Sequence, residues 1–258
     1  MSAPQPQTIA NDLQEQLIQL ALNAGRASIV QSLKKSFMSE CDKLQKIDVI
    51  MASLLKSNFF ALAGNRKESE YWTNNAIQNG GRQMATAYIE TNLFLMGYIS
   101  EAYAHFENAF MNRGNRPAST FARKALSIGL FRKANWVIGQ LDAQSMPDDL
   151  KALATEGQAV IDRLGITDQQ ICALMDEAHQ LIRETGLIWL DEFPKFNLND
   201  GNTQLCITYR VEITPDEAAD LTWQLIDRLI AKDLASIGLV VGYQGTVLNR
   251  SERVALAN

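Results

Sequence analysis

Apolar positions along the first two thirds of the chain recur at helical rather than strand spacing. Leu13, Leu17, Leu20, Ala21 and Ala24 share one face and stop at Gly25, which predicts a first helix, because residues three and four apart lie on the same side of a helical turn. A second pattern passes through Ile29, Val30, Leu33 and Phe37, and a third through Leu44, Ile47, Ile50, Met51, Leu54 and Leu55. No period-two alternation interrupts this interval, and the gaps between patterns are short, so neighbouring helices are expected to pack antiparallel as hairpins. Beyond Pro147 a helix through Leu150, Leu153, Val160, Ile161 and Leu164 stops at Gly165. Thr167 with Gln170 reads as a capping box opening another helix, which carries Ile171, Leu174, Met175, Ala178, Leu181 and Ile182 and ends at Gly186.

Near Gly186 the pattern changes. Leu205, Ile207, Tyr209, Val211 and Ile213 alternate with Gln204, Cys206, Thr208, Arg210 and Glu212, the signature of a half-buried strand. The preceding segment 186–198 is expected to be an edge strand, with Pro194 confining it to the edge and the turn Asn199 to Asn202 joining it to the next. Thr214, Pro215 and Glu217 supply a hydroxyl cap, a proline in the first turn and a reciprocal carboxylate, and a helix follows through Ala218, Leu221, Leu225, Ile226 and Leu229. Residues 237–245, rich in β-branched side chains, close the unit as a strand. The predicted fold class is mainly α with a C-terminal α+β unit, an array of antiparallel helical hairpins capped by a small β-β-α-β sheet. Its expected divisions are a disordered tip at 1–8, the helical array at 9–185 and the small α/β unit at 186–258.

Within the array a spacing recurs. Gly97 is followed by Ala102, Phe106 and Ala109, with Pro117 closing the next loop; Gly129 is followed at the same intervals by Ala134, Ile138 and Leu141, with Pro147 beyond. A fainter copy begins at Gly64, with Ser69 and Ala76 in register. Glycine at a hairpin turn lets two helices approach closely, small residues admit the neighbouring helix, and a large residue between them fills the gap. Over residues 61–150 the chain resembles the tetratricopeptide family, whose helical repeat carries this small, large, small pattern. The likeness departs from the family in lacking the aromatic and Leu-Gly pair of the preceding helices, and an all-α hairpin fold of no named family fits the same features. The resemblance implies a groove that binds a protein or peptide. The C-terminal segment is similar to a family of small ribosome-associated β-α-β proteins, in which a strand, a Thr-x-x-Glu cap, a helix and a glycine-flanked strand follow in that order.

Composition narrows the function classes. The net charge of −5 offers no global attraction to phosphate, which disfavours nucleic acid and anionic membranes as partners. The longest apolar run, Leu93 to Ile99, is far short of the roughly 20 residues that span a bilayer, so no membrane partner is expected. The N-terminal residues lack the basic start and apolar stretch of a secretory leader. Cys41, Cys172 and Cys206 are odd in number, widely separated and without a Cys-x-x-Cys pair, which argues against a disulfide framework or zinc knuckle and suits a cytoplasmic setting.

Catalytic spacing is absent. His105 has no second histidine one turn away, so the helical zinc arrangement is missing, and both His105 and His179 are expected to be structural or surface residues. No phosphate-binding loop, dinucleotide fingerprint or Gly-x-Ser-x-Gly elbow occurs, and Gly238 to Gly242 lies in a strand-like run. Asp148 with Asp149 and Asp191 with Glu192 suit helix starts or turns. The expectation is therefore a non-enzymatic interaction module without a cofactor or metal. One charge feature qualifies it: between Asn108 and Gln140, Arg113, Arg116, Arg123, Lys124, Arg132 and Lys133 occur with no Asp or Glu. Such a basic face would attract an acidic peptide or phosphates unless counter-charges arrive from elsewhere in the fold. With Phe131 and Trp136 interleaved, association with RNA or the ribosome is the alternative function, and an enzyme of unrecognised type is a further one.

Overall fold

A computed structural model describes residues 6–114, 117–140, 146–188, 195–198, 205–235 and 238–246. In chain order the elements are α1 (Pro6–Asn23), α2 (Ala27–Ser32), α3 (Lys34–Gln45), α4 (Val49–Leu62), α5 (Arg66–Gln78), α6 (Arg82–Leu95), α7 (Ile99–Met111), α8 (Ala118–Ser127), α9 (Phe131–Ile138), α10 (Asp148–Arg163) and α11 (Asp168–Thr185). They continue as β1 (Lys195–Leu198), β2 (Leu205–Val211), α12 (Pro215–Ala231) and β3 (Leu239–Gly245). The protein is thus mainly helical with a small sheet towards its C-terminus. The turn 199–202 and Pro194 lie outside the described residues.

One turn closes helix after helix. Gly64, Gly97, Gly129, Gly165 and Gly186 have φ of 72°, 71°, 76°, 66° and 69°, the left-handed region that costs a side-chain-bearing residue about 1–2 kcal/mol. At Gly97 its own N–H bonds the carbonyl of Phe94 and the next N–H, of Tyr98, bonds Leu93, at 2.8 and 2.9 Å. The same two bonds recur at Gly64 and Asn65 with Ala61 and Phe60, and at Gly129 and Leu130 with Leu126 and Ala125. This is the Schellman arrangement, which satisfies carbonyls left over at a helix end and redirects the chain within a few residues. Consequently α4 packs on α5, α6 on α7 and α8 on α9, while α6 also meets α4 and α5.

Two expected boundaries move. The third apolar pattern is not one helix: α3 ends at Gln45 and α4 starts after Asp48, whose carboxylate accepts from the Met51 N–H at 2.9 Å. That cap restarts the helix and leaves Ile47, one of the pattern's members, exposed. At the N-terminus, α1 begins at Pro6, inside the stretch expected to be a disordered tip; a proline's fixed φ suits the first helical turn.

The chain divides into two compact units, and the division falls elsewhere than the change of period. The first unit runs to Asn112 and takes in the end of α11 from Ile182; the second holds Arg113 to Leu181 with the sheet and α12. In the first, Leu13, Leu17 and Leu20 of α1 meet Phe37 and Leu44 of α3 and Leu55 and Phe59 of α4, with the Phe37 and Phe59 rings stacked at 4.8 Å. After the Gly186 turn, the Ala27 N–H donates to Gly186 O at 3.0 Å and the Ile188 N–H to Gly25 O at 2.8 Å, tying the end of α11 to the turn after α1.

In the second unit β2 is central, antiparallel to β1 and parallel to β3. Leu205, Ile207, Tyr209 and Val211 are buried and their alternates half-buried. The helix between β2 and β3 is opened by the predicted capping box: Thr214 Oγ1 accepts from the Glu217 N–H, and the Glu217 carboxylate accepts from the Thr214 N–H at 2.8 Å. The sheet belongs with helices preceding it: Tyr209 donates its hydroxyl to Ser127 O at 3.1 Å and Tyr243 to Ala178 O at 2.6 Å. A boundary at 185–186 would cut through these buried contacts.

Glycine has two separable roles here. At Gly64 a Cβ would meet nothing within 4 Å, so Gly64→Ala costs backbone strain alone, about 1–2 kcal/mol. At Gly157 in α10 a Cβ would collide with the buried Phe131 ring, and Gly157→Ala is expected at the upper end of the roughly 1–3 kcal/mol seen on overpacking. Denaturant unfolding of the two variants should rank them in that order; equal losses would contradict it.

Candidate functional site

Ser57, Ser69, Thr73 and Asn92, all buried, lie where α4, α5 and α6 meet. Ser53 and Ser57 are one turn apart on α4, and Ser69 and Thr73 one turn apart on α5, so each pair projects from a single face. Ser53 Oγ donates to Val49 O at 2.7 Å or Asn75 Oδ1 at 2.8 Å. Ser57, Ser69, Thr73 and Asn92 of α6 form one connected cluster. A buried hydroxyl left unpaired costs on the order of 1–3 kcal/mol, so the cluster has to satisfy itself.

Asn92 Nδ2 donates to Ser57 Oγ at 2.5 Å, the Ser57 hydroxyl donates to Ser69 O at 2.8 Å or shares a proton with Thr73 Oγ1 at 2.5 Å, and Thr73 Oγ1 donates to Ser69 O at 3.0 Å. Turning the amide over would force Ser57 to donate back to Asn92 and delete one of them. A hydrogen bond is worth about 1 kcal/mol net, enough to favour the first arrangement. In that arrangement Asn92, 3% exposed, has a carbonyl oxygen with no protein donor.

Asn92 also lines a pocket of about 290 Å³ between α5, α6 and α7, bounded by Arg66, Ser69, Glu70, Thr73, Asn74, Ile89, Leu93, Met96, Glu101 and His105. Ile89, Leu93 and Met96 form an apolar wall; the charged residues stand around the opening. Arg66 Nε donates to Glu70 at 2.7 Å, and its two terminal nitrogens to the two oxygens of Glu101 at 2.8 Å each. The Arg66 guanidinium also lies 4.4 Å from the Tyr98 ring centroid, as does that of Arg183. Arg183 also acts electrostatically on Glu101 and helps to hold it ionised. Arg183 donates to Met96 O and Gly97 O, fixing the turn between α6 and α7. These bonds hold the Arg66 pKa above its ordinary value and the Glu101 carboxyl below its own.

A second hollow, of about 480 Å³, lies on α2 and α3 along Gln31, Lys34, Lys35 and Asp42. Its wall is mostly exposed side chains and no buried polar group meets it. The smaller pocket is the better candidate because buried side chains, Ser69, Thr73, Asn92, Leu93 and Met96, take part in its lining. Lys56, the buried cation nearby, is consumed structurally by Asp42 at 2.6 Å, Gln45 at 2.7 Å and the Trp72 ring.

The residues singled out from the sequence are distributed differently. Gly97 and Gly129 sit at the left-handed turns; Ala102, Phe106, Ala109 and Ala134 are buried, Ile138 is half-buried, and Leu141 lies outside the described residues. Of the basic stretch, Arg116 lies outside them, and Arg113, Arg123, Lys124, Arg132 and Lys133 are half-buried. Arg132 is not an uncompensated charge: it donates to Asp162 and to Asp168, with Nε at 2.8 Å from the first and Nη1 at 2.9 Å from the second. Lys124 lies over the Phe121 ring and Lys133 over Trp136. Phe131 is fully buried, which removes it from any surface that stacks bases. His179 is buried with its ring 5.2 Å from that of Tyr209, and His105 is exposed at the pocket opening.

Compared with protein-family models, with curated proteins and with solved structures, the chain matches none of them. No group of three or more His, Cys, Asp or Glu among the described residues has the arrangement to hold a metal ion. No described helix is long and apolar enough to cross a membrane.

Two outcomes follow. Glu101 is depressed by Arg66, so its share of stability is present above the ordinary glutamate range and is lost as pH falls through the lowered value. Both groups are partly exposed, which limits that share to about 1 kcal/mol or less; carbon-detected titration should place Glu101 below ordinary glutamates, and Glu101→Gln should flatten this part of the acid limb. Burial pushes the Cys41 and Cys172 thiols up to about 12. At mildly alkaline pH a thiol alkylator should therefore modify half-buried Cys206 well before either; equal rates would contradict their burial.

Proposed function

We propose that this chain is a non-enzymatic interaction module that captures a segment of a partner polypeptide in the pocket between α5, α6 and α7. The observation that carries it is the pocket itself, in which Ile89, Leu93 and Met96 stand beside the polar side chains Ser69, Thr73, Asn74 and Asn92 and the charged Arg66, Glu70 and Glu101. A volume near 290 Å³ suits one side chain and its backbone more than a large cofactor.

In this reading α4 with α5 and α6 with α7 are antiparallel hairpins of a tetratricopeptide-like kind, and α8 with α9 repeats the same turn in the second unit. The equal placement of Gly64, Gly97 and Gly129 and the small buried residues five positions after each, Ser69, Ala102 and Ala134, support it. The β-β-α-β unit closes the core of the second unit. A basic face around Arg123 and Lys124 remains as a secondary contact surface, reduced by the engagement of Arg132 with Asp162 and Asp168. RNA or ribosome association draws on that face and loses support for the same reason.

Selection of short random peptides displayed against the full chain tests the module. Peptides should enrich on the wild type, and binding should fall when Leu93→Trp fills the pocket, while Arg123→Glu leaves it nearly unchanged. Enrichment that survives the pocket variant, or that depends on Arg123 instead, would overturn the placement of the site.

A further inference from the structure

The helix α12 carries two apolar faces. Ala218, Leu221, Leu225 and Leu229 are buried, and Thr222 holds the helix to β3, where its hydroxyl accepts from the Tyr243 N–H at 3.0 Å and its methyl group lies against Gly242. Beyond Thr222, on the side turned to solvent, Ala219, Trp223, Ile226 and Ile230 recur at i, i+4, i+7 and i+11, the spacing of one continuous stripe. Trp223 is 65% and Ile230 62% exposed, Ala219 is exposed and Ile226 half-buried. A helix joining two parallel strands runs opposite to them, so Val240, 37% exposed on the same face of β3 as Gly242, lies towards the turn of Ile226. Apolar residues scattered singly on a surface require no explanation, but a stripe in register around an exposed tryptophan marks a contact face.

The charge beside the stripe selects what covers it. Asp216, Asp220 and Asp227 are exposed and fall within about 60° of Trp223 around the helix axis, all on the flank away from β3. Among the described residues no cation pairs with any of the three. Arg228 and Lys232 lie about 140° and 180° around the axis from Trp223, Lys232 is bonded to Glu177 at 2.6 Å, and Arg210 stands on β2, on the strand side of the stripe. From Ala219 to Ile230 the stripe covers about 16 Å of helix axis, the length of three turns of a second helix packed along it. Two copies of α12 laid antiparallel about a two-fold axis would bring the acidic flanks face to face, and an anionic membrane surface would be repelled by the same carboxylates. We infer that this stripe docks an amphipathic helix of a partner protein, with lysine or arginine along the edge of its apolar face that meets Asp216, Asp220 and Asp227. The surface belongs to the second unit and does not depend on the pocket of the first.

The test selects displayed helical peptides of about five turns on the full chain, with an apolar stripe of Leu, Ile, Met or Phe and polar positions drawn equally from Lys, Arg, Glu and Gln. Lysine or arginine should be enriched along one edge of the selected stripe. A selected peptide should bind about tenfold more tightly than its copy with glutamate at those positions, the combined effect of three exposed ion pairs. Trp223→Ala, at an exposed position, should weaken it about tenfold or more. Asp220→Lys combined with Asp227→Lys should abolish the preference for the basic peptide with helical circular dichroism unchanged, and Leu93→Trp in the first unit should have no effect. Peptides that enrich without a basic edge, or that bind the Trp223→Ala chain as well as the wild type, overturn the proposal, as does failure to enrich any. A concentration-dependent dimer that Trp223→Ala dissolves in sedimentation makes a second copy the occupant. Flotation with vesicles of phosphatidylcholine and phosphatidylserine that the same variant abolishes makes it a lipid surface, and either result overturns the partner helix.

Discussion

A left-handed glycine immediately after a helix is the constraint on which the rest of this structure depends. At Gly64, Gly97 and Gly129 the same pair of backbone hydrogen bonds closes one helix, and the next begins two residues later. So short a connection leaves the two helices little choice but to pack on each other, and small residues a fixed distance beyond the turn let them approach. The position of the functional groups follows from that approach. Ser57 on α4 reaches Thr73 on α5 because the Gly64 turn brings the two helices together, and Asn92 on α6 closes the cluster from the third side.

The polar cluster has a direction, and direction is what makes it more than core filling. Had Asn92 been another hydroxyl residue, its oxygen could both accept and donate, and the chain of bonds could run either way. A carboxamide splits the two capacities between two atoms. Once Nδ2 feeds Ser57, the oxygen is left buried without a protein donor. The Arg66 and Glu101 pair keeps the two ends of the pocket opening in place, holding α5 and α7 to each other by two parallel charge-assisted bonds.

Much of this architecture was legible in the sequence, and the part that was not has identifiable reasons. The helix-ending glycines, the Thr167 and Thr214 capping boxes and the alternation through β2 are local signals: each depends on residues within one or two turns, and each element stands where its signal places it. The break at Asp48 was readable too, as an aspartate before an apolar run, but the continuing helical period on either side obscured it. The grouping of the sheet with α8 to α11 could not be read, because it rests on Tyr209 reaching Ser127 and Tyr243 reaching Ala178 across long stretches of chain. The compensation of Arg132 could not be read for the same reason, since Asp162 and Asp168, its partners, are some thirty residues away in sequence.

The pocket itself left a fainter trace that was there to be found. Ser53 and Ser57, then Ser69 and Thr73, place hydroxyls at four-residue spacing on the inward faces of α4 and α5. A hydroxyl on an inward face must find a partner, and pairs of them on successive helices point at one another. A stripe of this kind differs in meaning from a charged face turned to water: it marks where a helix stack is held by hydrogen bonds that have an order, and an order has an end. Here the end is an asparagine, and the group it lacks is a donor that no residue of the surrounding helices supplies.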